Sequence, residues 1–285
     1  MTAPRSVVSA DGTTIAYRQR GDGPGLVLIH GGLQAARNFT QLAEALSSSF
    51  RVCVPDRRGR GGSGPFGPEY GLAREAEDLD ALLRQTGARF VFGLSSGALI
   101  ALHAARSLSG IDRVAAYEPP FTIDGVDPAA WVSRYESEID RGDLAAAMVS
   151  ALKGTADVGP LMHLPRVVMI PLVRLALRAE ARKSRGQIAI RDLIPTLRFD
   201  ARLQREASGF VDALPEIPSE VLLVGGDRSH PALRTALDAV ARRMPRARRV
   251  RLSGVGHIAA DDHGRPGDVA NELRTFFARP RTPPT

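Results

Sequence analysis

The stretch FVFGLSSGALIALHAARSL, residues 90–108, predicts a strand, a sharp turn and a helix in immediate succession. Its centre is a G-x-S-x-G pattern with Ser95 at the serine position. Gly93 and Gly97 stand where any side chain would collide with neighbouring backbone in so tight a turn. The turn exposes the Ser95 hydroxyl beside the start of a helix, which favours developing negative charge. Ser95 is therefore the candidate nucleophile, and Ser96 is expected to offer its backbone N–H. The alternative is a flexible glycine-serine turn without chemistry.

Short apolar runs alternate with segments of helical spacing along much of the chain. This alternation predicts an α/β fold, with a mostly parallel sheet and helices on both of its faces. An N-terminal β-hairpin is expected as well, because Asp11-Gly12 suits a two-residue turn between two short runs. The strand runs are residues 7–10, 13–17, 26–29, 52–54, 90–92, 114–116, 221–224 and 250–252, and the helical runs are 39–46, 73–83, 98–108, 233–244 and 269–277.

The alternation stops between residues 121 and 215. This part has helical pieces punctuated by proline, glycine and aspartate, and it lacks a convincing strand pattern. We therefore predict a helical cap, or lid, at 121–215, inserted into a core domain formed by 1–120 and 216–285.

Charge and composition favour a globular protein over a nucleic-acid binder. The formal charge is +7, but the basic residues are scattered among 31 acidic ones, and 44% of the 285 residues are hydrophobic. The basic run 242–251 is either a solvated face or a docking patch for an acidic partner such as a carrier protein. Only Lys153 and Lys183 are lysines, and this arginine bias indicates a GC-rich genome, such as that of an actinobacterium.

Cys53 is the only cysteine, so an intrachain disulfide and a thiolate metal site are both excluded. The N-terminus has no apolar segment, and the longest apolar stretch, 164–177, is broken by Arg166 and Arg174. The sequence thus predicts a cytoplasmic protein that does not bind membranes. We expect a monomer or a homodimer.

Three motifs in chain order resemble those of the α/β hydrolases. They are His30-Gly31-Gly32, the run DRRGRGGSG at 56–64, and the turn at Ser95. The resemblance covers residues 6–278 and implies an α/β-hydrolase fold with a serine nucleophile. It also implies that Leu33 supplies a second oxyanion N–H, that His30 shapes this loop, and that His257 is the general base.

The third member of a catalytic triad is a carboxylate that orients the imidazole. Asp227 directly follows the apolar run 221–224 and its two glycines, which gives the chain order serine, aspartate, histidine of this fold. Asp227 is the favoured acid, and Glu118, one strand earlier, is the alternative. The remaining histidines have simpler interpretations: His103 lies on the helix behind Ser95, His163 in the cap, and His230 and His263 in polar loops.

The resemblance and the candidate triad predict hydrolysis of a carboxylic ester or lactone of a small hydrophobic molecule through an acyl-enzyme. A role in secondary metabolism is expected, with neither a metal nor another cofactor. Related enzymes that open epoxides or remove halides attack with aspartate, so Ser95 argues against both reactions. Acetate elimination from an acylated natural product, C–C cleavage and ligand binding with a relic triad stay open as alternatives.

The expected substrate pocket combines the turn with the cap. Leu94 precedes the nucleophile, and residues 161–170 offer Met162, His163 and Met169 as adaptable lining. The same stretch is equally suited to form the cap's own small core.

Overall fold

The computed structural model describes residues 4–155, 163–183 and 188–279. Eight strands in these residues form one sheet in the order β1-β2-β4-β3-β5-β6-β7-β8. All pairs from β4 to β8 are parallel, and β1 and β2 are antiparallel additions at one edge. The predicted α/β class is confirmed. The strands are Arg5–Val8 (β1), Thr14–Arg20 (β2), Gly25–Ile29 (β3), Arg51–Pro55 (β4), Phe90–Leu94 (β5), Arg113–Tyr117 (β6), Glu220–Gly226 (β7) and Arg248–Leu252 (β8).

The N-terminal hairpin forms where the Asp11-Gly12 pair predicts it. Its loop is longer than a two-residue turn, because Ser9 N–H donates to the Thr13 carbonyl at 2.8 Å, with three residues between them. Gly12 adopts φ +84°, the left-handed conformation that glycine enters without strain.

Helices cover both faces of the sheet. The central strands are buried on both faces, and alternate side chains of β3 and β5 join two separate cores. On one face Val27 and Val91 pack with α2, α3 and α9, and on the other Leu28 and Phe92 pack with α1 and α10. The helices are Thr40–Leu46 (α1), Leu72–Thr86 (α2), Ser96–Ser107 (α3), Val132–Asp140 (α4), Leu144–Thr155 (α5), Arg166–Lys183 (α6), Ile190–Leu193 (α7), Leu197–Ala207 (α8), Pro231–Arg243 (α9) and Pro266–Phe277 (α10).

The segment between β6 and β7, residues 121–215, is here called the insertion. Its described residues contain helices and one isolated bridge between Ile123 and Val126, but no strand. A small core of its own includes Tyr135 and Ile194, whereas Leu203 of α8 belongs to the main core beneath α3. The insertion is thus anchored through α8, and the division into a core domain and a cap domain stays a prediction.

Among the described residues, none of the helices combines the length and apolar character that a membrane crossing requires.

Candidate active site

Ser95 occupies a strained turn between β5 and α3. Its φ of 56° and ψ of −121° lie outside the regions that non-glycine residues usually adopt. A Cβ on Gly93 would stand 2.2 Å from the Gly97 carbonyl oxygen, and one on Gly97 would stand 2.4 Å from the Ile29 carbonyl oxygen. Both flanking glycines are therefore sterically required, as the sequence predicts.

His257 is held by Glu118 rather than by Asp227. The imidazole Nδ1 lies 2.7 Å from Glu118 Oε2, and both side chains are buried. The other carboxylate oxygen, Oε1, accepts the Gly226 N–H at 2.8 Å and the Ser229 hydroxyl at 2.5 Å. A carboxylate facing Nδ1 keeps a proton on that nitrogen, so Nε2 is left as the proton acceptor.

The expected pairing of Asp227 with the imidazole is therefore corrected. Asp227 Oδ1 accepts the Gly254 N–H at 2.8 Å, and Oδ2 accepts the Ser253 hydroxyl at 3.1 Å. The Asp227 N–H donates to the Leu252 carbonyl and so prolongs the β7–β8 pairing. Both carboxylate oxygens are thus used to fix the turn after β8. The alternative residue, Glu118, occupies the position beside the imidazole.

Tyr117 ties the three parts of this site together. Its carbonyl accepts the Ser95 N–H at 2.8 Å, and its hydroxyl donates to the Gly256 carbonyl at 2.6 Å. Tyr117 is the last residue of β6, directly before Glu118, so one fully buried residue braces the serine turn, the carboxylate and the histidine loop. Ser95, Glu118 and His257 follow the carboxyl ends of β5, β6 and β8 at one edge of the sheet.

The loop after β3 packs directly against the serine turn. A Cβ on Gly31 would lie 3.1 Å from Ser95 Cβ and 3.1 Å from the Leu94 carbonyl oxygen. The Gly31 N–H is bound at 2.8 Å by Gln34 Oε1, and Gln34 in turn donates to Asp261 Oδ2 at 2.7 Å. This chain of hydrogen bonds fixes the loop from the side of β8.

Backbone strain is concentrated at this edge of the sheet. Of the four non-glycine residues with positive φ in the described ranges, three are Leu33 at 57°, Ser95 at 56° and Glu118 at 46°. Each such conformation costs about 1–3 kcal/mol and persists only where the surroundings enforce it. Leu33 was expected to present its backbone N–H, and its left-handed conformation sets it apart from an ordinary loop residue.

Both ring nitrogens of His30 form hydrogen bonds with backbone groups. Nε2 accepts the backbone N–H of Arg57 at 3.2 Å, which leaves Nδ1 to donate to the Gly31 carbonyl at 2.9 Å. Burial, together with the Arg60 and Arg57 guanidinium groups, holds the pKa of His30 well below its usual value. A neutral histidine in this arrangement shapes the loop, in agreement with the interpretation of the sequence.

The other histidines take part in local contacts. His230 Nδ1 accepts the Ala232 N–H at the start of α9, and burial lowers its pKa, aided by nearby His257 and Arg234. His263 pairs with Asp261 at 2.8 Å. His103 lies on α3, and its ring faces Phe210. His230 therefore borders the histidine loop more closely than its sequence indicates.

The predicted pocket residues are spread over different environments. Leu94 is buried in the core beneath the sheet, Met169 is buried on α6, and His163 is exposed. Met162 lies outside the described residues. The pocket assignment stays a prediction.

Several residues that support the site have no recognisable sequence motif: Tyr117, Ser229, Gln34 and Asp261. A second group, Arg57, Arg60 and Asp200, forms a buried ionic cluster with Ser96. The only signal for this group is the placement of three arginines in a glycine-rich loop. Among the described residues, no group of three or more histidine, cysteine, aspartate or glutamate side chains is arranged to hold a metal ion.

Comparison with known proteins agrees with this architecture. The profile of the alpha/beta hydrolase family matches residues 26–272. An alpha/beta hydrolase from Sphaerobacter thermophilus DSM 20745 is similar, with a TM-score of 0.75 and 32% identity, over 96% of this chain and 100% of that one. An uncharacterized hydrolase of Bacillus subtilis strain 168, YraK, is 34% identical over 106 residues, which are 36% of this chain and 39% of that relative. An enol-lactonase from Burkholderia xenovorans LB400 shares the fold, with a TM-score of 0.67 and 23% identity, over 96% of this chain and 100% of that chain. The chain belongs to the alpha/beta hydrolase family.

Proposed function

We propose that the protein hydrolyses a carboxylic ester or lactone of a small hydrophobic molecule through an acyl-enzyme. The observation that carries the proposal is the 2.7 Å contact between His257 Nδ1 and Glu118 Oε2 at the sheet edge that bears Ser95. This contact selects the imidazole tautomer that can take a proton at Nε2. Under this proposal Glu118 replaces Asp227 as the acid of the triad.

The reaction proceeds in two halves. Ser95 Oγ attacks the carbonyl carbon while its proton passes to His257 Nε2, and the backbone N–H groups of Leu33 and Ser96 bind the developing oxyanion. Collapse of the tetrahedral intermediate expels the alcohol, which takes the proton from His257. Water then attacks the acyl-enzyme by the same route, and the carboxylic acid leaves.

Glu118 contributes through charge and orientation. Its carboxylate faces the imidazolium that forms during attack and stabilises the positive charge, while its bonds to Gly226 and Ser229 stop it from turning away. It is fully buried, so solvent screens its charge toward the imidazole only weakly.

The choice of an ester or lactone rests on the chemistry of the triad and on hydrolase family membership. The likeness to the enol-lactonase shows only the fold. An enol-lactone is therefore included only as one compound in the substrate panel. A role in secondary metabolism is part of the proposal and rests on the composition and the family resemblance.

Covalent labelling tests the nucleophile. A fluorophosphonate probe is expected to label the wild type and the Ser96→Ala variant, and to spare Ser95→Ala. The neighbouring Ser96 is the matched control, because its hydroxyl already donates to Asp200 at 2.6 Å. Equal labelling of wild type and Ser95→Ala would refute the assignment, and no labelling of the wild type would favour a ligand-binding protein with a relic triad.

Substrate class and reaction outcome need a second experiment. A panel of acyl esters and lactones of increasing chain length is incubated in oxygen-18 water. Hydrolysis places the label in the released acid, whereas elimination of a carboxylate breaks the alkyl–oxygen bond and leaves the acid unlabelled. Label in the acid supports hydrolysis. Unlabelled acid would refute hydrolysis and indicate elimination instead.

A further inference from the structure

A carboxylate on the insertion lies buried directly behind the proposed oxyanion site. Asp200 of α8 is 8% exposed. Its Oδ1 accepts the Ser96 hydroxyl at 2.6 Å and an N–H of the Arg57 guanidinium at 2.9 Å. Its Oδ2 accepts an N–H of the Arg60 guanidinium. The proposed mechanism makes no direct use of this group.

Each partner of Asp200 also holds one of the two segments that would bind the oxyanion. Arg60 donates to the Gly31 carbonyl at 2.9 Å, and Nη1 of the Arg57 guanidinium donates to the His30 carbonyl at 3.4 Å. Ser96 is itself the first residue of α3 and the proposed donor on the serine side. The carboxylate therefore bridges the loop after β3 and the serine turn.

Helix α8 also touches the loop by direct packing. A Cβ on Gly32 would lie 2.5 Å from Leu197 Cδ2 and 3.3 Å from Asp200 Oδ2. Leu33, the next residue, packs against the small core of the insertion. The position of the loop is thus set from the side of the insertion as well as from the sheet.

The contact between α8 and the loop after β3 is electrostatic as well as steric. Burial by itself raises the pKa of Asp200, but the Arg60 and Arg57 guanidinium groups outweigh it and bring the pKa down to about 2. Asp200 is therefore an anion at neutral pH. A buried ion is stable only while its partners stay in place, so the cluster resists displacement of any member.

We propose that Asp200 is a positioning residue, through which the insertion holds the backbone N–H groups of Leu33 and Ser96 in line for the oxyanion. The catalytic consequence rests on the proposed function. A displacement of about 1 Å in such a donor is enough to lower the rate about 100-fold. The insertion would then be required for turnover as well as for substrate selection.

The test replaces Asp200 with asparagine, which keeps its shape and removes its charge. We expect kcat on an ester substrate, counted per titrated active site, to fall about 10- to 100-fold, with KM changed less than threefold. Arg198→Ala is the matched control, because Arg198 lies on α8 like Asp200 but forms only an exposed ion pair there, with Asp140 at the end of α4. This control should leave both parameters within twofold of wild type. A purely structural role would lower the melting temperature of Asp200→Asn while leaving kcat per site unchanged, and that result would overturn the proposal.

Hydrogen exchange supplies a readout that does not depend on catalysis. Amides of residues 30–34 and 95–99 should exchange at least tenfold faster in Asp200→Asn than in wild type, and at the wild-type rate in Arg198→Ala. Unchanged protection would refute the positioning role, even if the protein proves not to be an esterase. Failure of the proposed function appears separately, as absence of labelling in the wild type.

If Asp200→Asn does not fold, Ser96→Ala decides the matter. It keeps the backbone N–H and removes only the hydroxyl that Asp200 binds. We expect kcat to fall about threefold to tenfold, with faster exchange at residues 95–99. Wild-type values for both measurements would overturn the proposal.

Discussion

Replacement of Glu118 by glutamine tests the proposed triad directly. In the wild type, Oε1 accepts the Gly226 N–H, and an amide NH₂ cannot occupy that position beside another donor. The glutamine must therefore turn its NH₂ group toward His257 Nδ1. Nδ1 then has to accept, the ring proton moves to Nε2, and the imidazole can no longer take the Ser95 proton.

The size of the effect follows from this change of tautomer. Serine proteases that lose the carboxylate of their triad in this way lose about 10⁴-fold in kcat. We expect a loss of about 10³- to 10⁴-fold here, which at 1.36 kcal/mol per decade corresponds to about 4–5.5 kcal/mol of transition-state stabilisation. The assay is kcat on the best ester of the panel, with folding checked by circular dichroism.

Asp227→Asn is the matched control for this prediction. Asp227 accepts hydrogen bonds from Gly254 and Ser253, whereas the imidazole Nδ1 faces Glu118. An asparagine oxygen at position 227 can still accept the Gly254 N–H. Its kcat should stay within about threefold of wild type, since at most the exposed hydrogen bond from the Ser253 hydroxyl is lost. The reasoning fails if Asp227→Asn abolishes turnover while Glu118→Gln retains it.

Three further predictions concern the fold and its ionisable groups. Gly97→Ala should lower the free energy of unfolding by about 1–3 kcal/mol, because its Cβ meets the Ile29 carbonyl at 2.4 Å, whereas Gly110→Ala, with open space around it, should change it little; urea titration compares them. Asp200 should stabilise the fold fully above its unfolded pKa of 3.8 and lose this contribution as pH falls toward its folded pKa of about 2. The difference in free energy of unfolding between wild type and Asp200→Asn should thus shrink by about 2 kcal/mol between pH 5 and pH 2, as measured by urea titration. A difference that stays constant over this range would contradict the prediction. The Cys53 thiol, with its pKa raised by burial to about 11, should resist iodoacetamide at about pH 8 until denaturant is added, and rapid labelling of the native protein would contradict its burial.

The fold and the tight turn at Ser95 were predictable because their signals are local. A turn with serine between two glycines is a steric requirement that five consecutive residues express, and the apolar strand runs mark the sheet in the same way. The hairpin loop differed by one residue because turn length depends on the pairing register of both strands, which Asp11-Gly12 alone does not set.

The carboxylate that faces His257 was not predictable in this way. Glu118 and Asp227 both follow parallel strands that meet the same edge, so their sequence positions are equivalent. Their orientations differ because Asp227 faces the Gly254 turn beside it, while Glu118 lies across the sheet from His257, 139 residues away in sequence. A contact of that range depends on strand order and register. The same holds for Arg60 and Asp200, which are 140 residues apart.

The position of Glu118 directly after β6 has a consequence for the loop that follows β7. That loop supplies the Gly226 N–H and the Ser229 hydroxyl to the carboxylate, so under the proposed triad residue 227 takes no part in proton transfer. Gly226 is not free in the same sense, since a Cβ there would stand 2.2 Å from the Val255 carbonyl oxygen. We therefore expect substitutions at position 227 to act through the stability of the Gly254 turn, while position 226 must keep its glycine.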